Sequence, residues 1–328
     1  FEGVVPVTAC EFKSHPAYIE SDDDSLRAIL RSRLAIGASS LDDIPANDLD
    51  YTMIVRPNAK LNLGLFVTGR RSDGYHLLET VFLPIPLYDE LELTFDPEGI
   101  DEDQLEVVGA VDTGRLEDNL VLRAVRLLRE QASFPPVRLR LTKYIPSGAG
   151  MGGGSADASF TLTALNEMAG LGLSTESLEA LALRLGADCP LFVRNLPALG
   201  EGIGEVLSPL ELSQLSGLYL TLVKPSLHIA TAEAFRGLQG FHRPARPLPE
   251  LLALPLEQWR EVVTNDFELS LFPLYPELRE IKESLYACGA DFALMTGSGA
   301  TIYALSRRPL DTQVLASPDR FVWQGLLP

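Results

Sequence analysis

The chain has 328 residues, with 45 Asp and Glu against 27 Lys and Arg, a formal charge of −18 and three cysteines. That length fits one large domain or two of ordinary size, and it buries a core without help from disulfides or a structural metal. The composition is that of a soluble globular protein: no apolar run reaches the ~18–20 residues of a membrane span, and the acidic excess disfavours nonspecific nucleic-acid binding, which relies on Lys and Arg against phosphate. A phosphorylated small molecule stays open as a partner, because local amides and one or two lysines can hold phosphate on an acidic protein. Cys10, Cys189 and Cys288 lie far apart with no CxxC or Cys/His metal spacing. They are expected as unbridged thiols in a reducing, cytoplasmic compartment.

Residues 1–52 hold ten acidic and four basic residues, Asp22-Asp23-Asp24 among them. No charged segment followed by an apolar one marks a signal peptide. The expectation is a mobile acidic extension, or upstream sequence carried in by an early start, with a short helix near Ser25–Ala35 capped by Asp24 or Ser25. Regular patterning begins at Met53, so 53–328 is the expected working unit, divided into 53–205 and 206–328. From 59 to 67, Leu61, Leu63, Leu65 and Val67 alternate with Lys60, Asn62 and Gly64, which predicts a half-buried strand. Arg70–Tyr75 centres on Asp-Gly and predicts a hairpin turn. Strands are expected at Leu77–Phe82 and Asp89–Phe95, and a helix at Asn119–Gln131 with Asp118 or Asn119 as its cap. Val137, Leu139 and Leu141 alternate in a further strand. After a glycine-rich loop come a helix from about Gly154 to Ala169 and another capped by Ser174 and ended by Gly186.

In the second half a strand is expected at Leu218–Val223 and a helix at Thr231–Leu238. The Pro-rich stretch from Gly240 to Pro255 reads as loop. Pro276–Cys288 reads as a helix, with Leu278, Ile281, Leu285 and Cys288 on one stripe and Gly289 stopping it. Strands Asp291–Met295 and Thr301–Leu305 flank the turn Gly297-Ser298-Gly299. Strands and helices mix without strict alternation, which predicts an α+β fold rather than a doubly wound sheet.

The strongest local signal is Pro146-Ser147-Gly148-Ala149-Gly150-Met151-Gly152-Gly153-Gly154-Ser155, with five glycines inside seven residues between a strand and a helix. Glycine lets backbone approach a ligand closely, and amides at a helix N-terminus face an anion with the helix dipole behind them. The segment is therefore a candidate phosphate cradle rather than an ordinary flexible turn, which needs one or two glycines. It is not the common P-loop, since no Gly-Lys-Ser/Thr follows. Gly148, Gly150 and Gly153 satisfy GxGxxG, but the strand before them alternates where a dinucleotide-binding strand buried on both faces is continuously apolar. The protein-kinase use of that spacing lacks its HRD and DFG partners.

The loop resembles the second motif of the GHMP kinase superfamily: Pro146, Gly150, Met151, Gly152 and the following Gly-Gly-Ser fit it. Asn58-Ala-Lys-Leu-Asn-Leu63 with Arg71-Ser-Asp-Gly-Tyr-His76, and Leu185-Gly-Ala-Asp-Cys-Pro-Leu-Phe-Val193, are similar to signatures of one branch of that superfamily. Its members phosphorylate a cytidine-diphosphate-linked methylerythritol in non-mevalonate isoprenoid biosynthesis. Thr296-Gly-Ser-Gly-Ala300 is similar to the third GHMP motif. Together these segments span residues 54–305, about three-quarters of the chain; residues 1–52 have no counterpart.

The resemblance implies a two-domain α+β kinase with its active site in the interdomain cleft. It implies ATP and Mg2+ as cofactors and transfer of the γ-phosphoryl group to the 2-hydroxyl of the substrate. Asp188 matches the catalytic aspartate, which would accept the hydroxyl proton, and Lys60 its lysine partner, which would keep that carboxylate ionised. Residues 146–155 would bind ATP, with Ser155 hydrogen-bonding phosphate or serving Mg2+. Tyr75 would lie against the cytosine face, His76 on its polar edge, and Phe235 at a second stacking position unless it is simply core. Thr231 falls at a substrate-contacting position. Asn62 shares a strand face with Lys60, roughly 7 Å along the backbone, and could bind the methylerythritol hydroxyls. Asp157 is either a carboxylate separated from the triphosphate by Mg2+ or an amide, or a helix first-turn acid favoured by the dipole. Gly297, Ser298 and Gly299 would close near the phosphates or form a tight turn. A GHMP kinase for another small alcohol would not need a pyrimidine pocket, so Tyr75-His76 argues against it. A non-catalytic ligand sensor would not need both Lys60 and Asp188.

Overall fold

The computed structural model describes residues 52–96, 99–109, 115–238 and 240–328. The acidic extension, the helix expected at Ser25–Ala35 and Cys10 lie outside the described residues. In chain order, β1 (Thr52–Val55) precedes β2 (Asn58–Arg70), β3 (His76–Tyr88), β4 (Glu90–Phe95) and β5 (Gln104–Val108). Then come α1 (Leu120–Arg129), β6 (Val137–Thr142), α2 (Gly153–Met168), α3 (Thr175–Leu183), α4 (Cys189–Arg194) and the hairpin β7 (Ala198–Glu201) and β8 (Val206–Pro209). The second half holds β9 (Tyr219–Pro225), α5 (Thr231–Arg236), α6 (Leu248–Leu252), α7 (Trp259–Val262), α8 (Asp266–Leu274) and α9 (Pro276–Ala287). It ends with β10 (Phe292–Met295), β11 (Ile302–Ser306), α10 (Thr312–Leu315) and β12 (Arg320–Leu326). Among the described residues no helix is long and apolar enough to cross a membrane.

Local chemistry accounts for these boundaries. Asn119 accepts from the Val121 amide and starts α1, and Ser174 accepts from the Ser177 amide and starts α3, each satisfying a donor the first helical turn leaves free. Asp73-Gly74 turns the chain between β2 and β3, with Arg70 paired to His76. The strands form three four-stranded sheets in the orders β1-β4-β6-β5, β2-β3-β7-β8 and β10-β11-β9-β12. Only β5 and β6 run parallel among the paired strands. The mixed topology is that of an α+β fold, and β6 has the expected alternation, with Arg138 and Arg140 exposed between buried apolar residues.

Two readings of the sequence need correction. β2 is not half-buried: every residue from Asn58 to Val67 is buried. The polar face of β2 is covered by the glycine loop and by second-half elements, a tertiary event that no alternation reveals. The segment 240–255 is not all loop, since Leu248, Leu251 and Leu252 turn inward from α6; its flanking prolines mask the short helix. Cys288, the C-cap of α9, is half-buried and packs against the same core as Leu278, Ile281 and Leu285, as its place on the stripe predicts. The strands β1, β5, β7, β8 and β12 and the helices α4, α7, α8 and α10 have no counterpart in the sequence reading.

One apolar core lies within residues 53–198, around α2 and the β1-β4-β6-β5 sheet. Two others mix β2 and β3 with the second half: Leu61 and Leu63 join Trp259, Leu222 and Tyr303, while Leu65 and Val67 join Phe267, Leu271 and Met295. The division expected at 205/206 falls in the β7–β8 turn, where Glu201 pairs with Val206. Two adjoining residues stitch β2 to the second half. Asn265 donates to the Met295 and Gly297 carbonyls, both at 2.8 Å, and accepts from the Phe267 amide at 3.0 Å. Asp266 accepts from the Val67 amide at 2.7 Å. Replacing Asn265 by Ala should cost about 2–4 kcal/mol, because buried carbonyls and the α8 cap lose their partners. Urea denaturation reads this directly; a loss under about 1 kcal/mol would mean that packing alone holds the seam.

Candidate active site

β2 carries Lys60 and Asn62 on one face, where both are buried yet line the cleft. Lys60 is 3% exposed. Its ammonium donates to Asn62 Oδ1 at 2.7 Å, lies 3.2 Å from Asp188 Oδ2 and sits over the Phe82 ring. Asp188 immediately precedes α4, whose Pro190 sits in the first turn, and its side chain makes no capping hydrogen bond. Its carboxylate is 36% exposed, so it faces both the buried cation and an open cleft. Asn62 also donates to Thr80 Oγ1 at 2.9 Å. Its carbonyl is thus committed to Lys60 and one amide hydrogen to Thr80, which leaves one hydrogen to offer a ligand.

The glycine loop approaches this pair from the N-terminus of α2. The Lys60 amide donates to the Met151 carbonyl at 2.9 Å, tying β2 to the loop. Gly150 and Gly152 both have φ of 71°, a conformation costly for side-chain-bearing residues. Close approach adds a second reason for glycine. A Cβ at Gly150 would stand 2.3 Å from the Thr296 carbonyl oxygen, and one at Gly152 would stand 3.0 Å from the Phe192 ring and 3.2 Å from the Lys60 stem. Thr296 in turn accepts from the Asn62 amide at 3.0 Å. The loop, β2 and the 297–299 turn thus meet at backbone distance.

Beneath the loop lies a buried ion cluster that the sequence did not reveal. Lys143, at the end of β6, bonds Asp89 and Asp157, the latter at 2.7 Å. Asp89 also accepts from the Tyr144 and Ile145 amides at 2.6 and 2.8 Å. Asp157 is not a solvated first-turn acid: it is 2% exposed. Burial above all, with the Asp89 charge adding and Lys143 opposing, pushes its carboxyl up to about 7. These partners are 54 and 14 residues apart, and neither spacing carries a sequence signal.

The cleft above these groups has a volume of about 870 Å³. Asn119, Leu120, Ile145 and Pro146 line it near α1 and the loop, and Tyr75, His76, Phe235 and Thr231 also line it. Phe235 stacks on His76 at 4.6 Å and 18°, and meets the buried Phe267 edge-on at 4.9 Å. His76 therefore lies against the Phe235 face, where the sequence reading put it on the edge of a base. Burial, with the nearby Arg70 charge, lowers the His76 pKa. Tyr75 is 58% exposed beside this pair. Thr231 Oγ1 stands 3.2 Å from Ser298 Oγ and links α5 to the glycine turn.

Comparison with known proteins places this geometry in context. Residues 119–195 match the GHMP kinases N-terminal domain and residues 248–317 the GHMP kinases C-terminal domain. The chain is 46% identical over 276 residues to the 4-diphosphocytidyl-2-C-methyl-D-erythritol kinase of Porphyromonas gingivalis, covering 84% of this chain and all of that protein. It is 49% identical over 253 residues to the enzyme of the same name from Bacteroides fragilis, covering 77% and 92%. A crystal structure of 4-(cytidine 5'-diphospho)-2C-methyl-D-erythritol kinase superposes with a TM-score of 0.70 at 33% identity, covering 83% of this chain and 98% of that one. The mevalonate kinase of Methanococcus jannaschii, at 13% identity and a TM-score of 0.62, shares the fold.

The crowding around the loop is testable by stability alone. Gly150→Ala should destabilise by about 2 kcal/mol or more, from the left-handed backbone and the Thr296 contact. Gly154→Ala, whose Cβ would meet nothing closer than 3.8 Å, should be neutral or gain up to about 1 kcal/mol within the helix. Thermal unfolding of the two variants should separate them in opposite directions; equal shifts would show that the loop is not packed as described.

Proposed function

The chain belongs to the 4-diphosphocytidyl-2-C-methyl-D-erythritol kinases of the GHMP kinase superfamily, and from that premise we propose how its cleft carries out the transfer. It is a small-molecule kinase with an alcohol acceptor. The reaction is transfer of the ATP γ-phosphoryl group to the 2-hydroxyl of 4-diphosphocytidyl-2-C-methyl-D-erythritol, giving ADP and the 2-phospho product. The catalytic unit is 53–328, with the nucleotide on the 53–205 half and 206–328 completing the cleft. The observation that carries this assignment is the Lys60–Asp188 pair, 3.2 Å apart and roofed by the glycine loop.

In this mechanism Asp188 accepts the proton of the attacking hydroxyl as its oxygen bonds to the γ-phosphorus. The bond to the bridging oxygen breaks, and ADP leaves with that electron pair. Asp188 is open to solvent on one side and releases the proton there. Lys60, fixed by Asn62 and sealed by Gly152 and Phe82, orients the carboxylate and faces the negative charge of the transferred group. The loop amides and the N-terminus of α2 cradle the phosphates. Among the described residues no group of three or more His, Cys, Asp or Glu could hold a metal by itself. Mg2+ would then be carried largely by nucleotide phosphates and waters, with a protein oxygen such as the Ser155 hydroxyl, which lines the cleft. When bound, it would neutralise charge on the phosphoryl group.

Tyr75, His76 and Phe235 form the base pocket, with Thr231 and the free amide hydrogen of Asn62 along the path to the reacting hydroxyl. The His76–Phe235 contact must open, or be lined on its outer faces, to take a pyrimidine. A lowered His76 pKa favours the neutral imidazole, which donates at one nitrogen and accepts at the other and so reads a base edge.

Asp188→Asn should lower kcat by about 10²-fold or more while both KM values stay within a few-fold, as loss of a positioned base does. Coupled ADP release measures this, and near-wild-type turnover would remove Asp188 from the role. For the base pocket, His76→Ala should erode the preference for the cytidine substrate over its uridine analogue, whereas Phe235→Ala should weaken both alike. An unchanged kcat/KM ratio in His76→Ala would place the base elsewhere.

A further inference from the structure

The cleft is short of uncommitted positive charge. Two lysines line it, and no arginine does among the described residues. Lys60 is paired with Asp188, and Lys143 with both Asp89 and Asp157. The proposed ternary complex nevertheless brings a triphosphate and a diphosphate into this space, within a chain of net charge −18. Backbone amides supply part of the compensation. Among the described residues, the side-chain donors on the nucleotide side of the cleft wall are the hydroxyls of Ser147 and Ser155, and no basic nitrogen lines it there beyond the paired Lys143.

One stands outside the lining, against the glycine loop. His228 lies in the segment between β9 and α5, and its imidazole rests on Gly148, the first glycine of the loop. A Cβ on Gly148 would lie 2.3 Å from His228 Nδ1 and 2.5 Å from Cε1. The imidazole is exposed, and no acid pairs with it among the described residues. The segment that presents it is braced. Lys224 Nζ donates to the Pro225 and Leu227 carbonyls at 3.0 and 3.2 Å, and the Ser226 amide donates to the Asp319 carbonyl at 2.8 Å. Ile229 is buried immediately after it. A donor held this way loses little freedom on binding.

We propose that His228 is a nucleotide-binding residue: from the second half of the chain it donates a ring N–H to a phosphate oxygen of the nucleotide in the glycine loop. The proposal rests on the reading of residues 146–155 as the ATP loop. It assigns His228 a direct contact and gives the second half a hand in closing the nucleotide site. An imidazole carries an N–H donor in either charge state, and a hydrogen bond to a charged acceptor is stronger than one between neutral groups.

The test is a ladder of adenosine, AMP, ADP and a non-hydrolysable ATP analogue, with Mg2+ throughout. Each is titrated calorimetrically into full-length wild type, His228→Ala and His228→Gln. His228→Ala should weaken the ATP analogue by roughly 5- to 30-fold and leave adenosine unchanged. The rung at which the loss appears identifies the phosphate contacted. His228→Gln, which keeps an N–H donor, should recover part of the loss. Melting temperatures should match, since the side chain is exposed, and the affinity for CDP, a probe of the substrate site, should not move. An equal loss for adenosine and the ATP analogue, or no loss at all, overturns the assignment and makes His228 a packing residue of the loop. Failure of the wild type to bind the ATP analogue would instead overturn the nucleotide reading of the loop itself.

Discussion

The constraint on which the rest of this structure depends is the approach of three backbones to a single point. β2, the glycine loop and the 297–299 turn come from distant parts of the chain, and they touch where Lys60 donates to Met151 and Asn62 to Thr296. No side chain fits between Gly150 and the Thr296 carbonyl. Glycine is therefore required in this loop for assembly as well as for ligand approach. A loop built for phosphate alone could tolerate more bulk on the side away from the ligand; this loop is closed on that side by the second half of the protein. The same junction fixes Lys60, whose stem runs under Gly152, so the glycine loop and the Lys60–Asp188 pair are positioned by one packing event.

Charge is arranged so that each buried cation is held by carboxylates before any ligand arrives. A lysine as buried as Lys60 is costly unless paired and hydrogen-bonded, and Asp188 and Asn62 meet that cost. Lys143 answers the same requirement beneath the loop, where two acids share one ammonium and burial drives Asp157 upward. Its cluster joins the β3–β4 turn, the end of β6 and the start of α2.

The aromatic end follows a different logic. Phe235 is anchored edge-on against the buried Phe267 and turns its face to His76, while Tyr75 and Phe241 remain largely exposed nearby. Anchored rings offer planar surface at little conformational cost, and the exposed ones are free to move onto a ligand. Thr231, on the same short helix as Phe235, reaches Ser298, so the ring platform and the glycine turn are parts of one connected wall.

The sequence by itself determined the parts whose signal is local. Hairpin turn, helix caps and the five-glycine loop were legible because glycine, Asp-Gly and capping residues act within a few positions of where they stand. Lys60, Asp188 and the loop were legible because they sit in short motifs of fixed order. Tertiary structure alone decided what lies across from each of them. The burial of both faces of β2 depends on second-half elements that its alternation cannot encode. Asp157 became half of a buried ion pair through Lys143 and Asp89, and Asn265 became the seam holding the glycine turn. His76 came to lie against a ring 159 positions away in the sequence. In each case the deciding partner is remote in the chain, and its contact is made by packing that brings the halves together, so no periodicity or spacing along one segment could carry it.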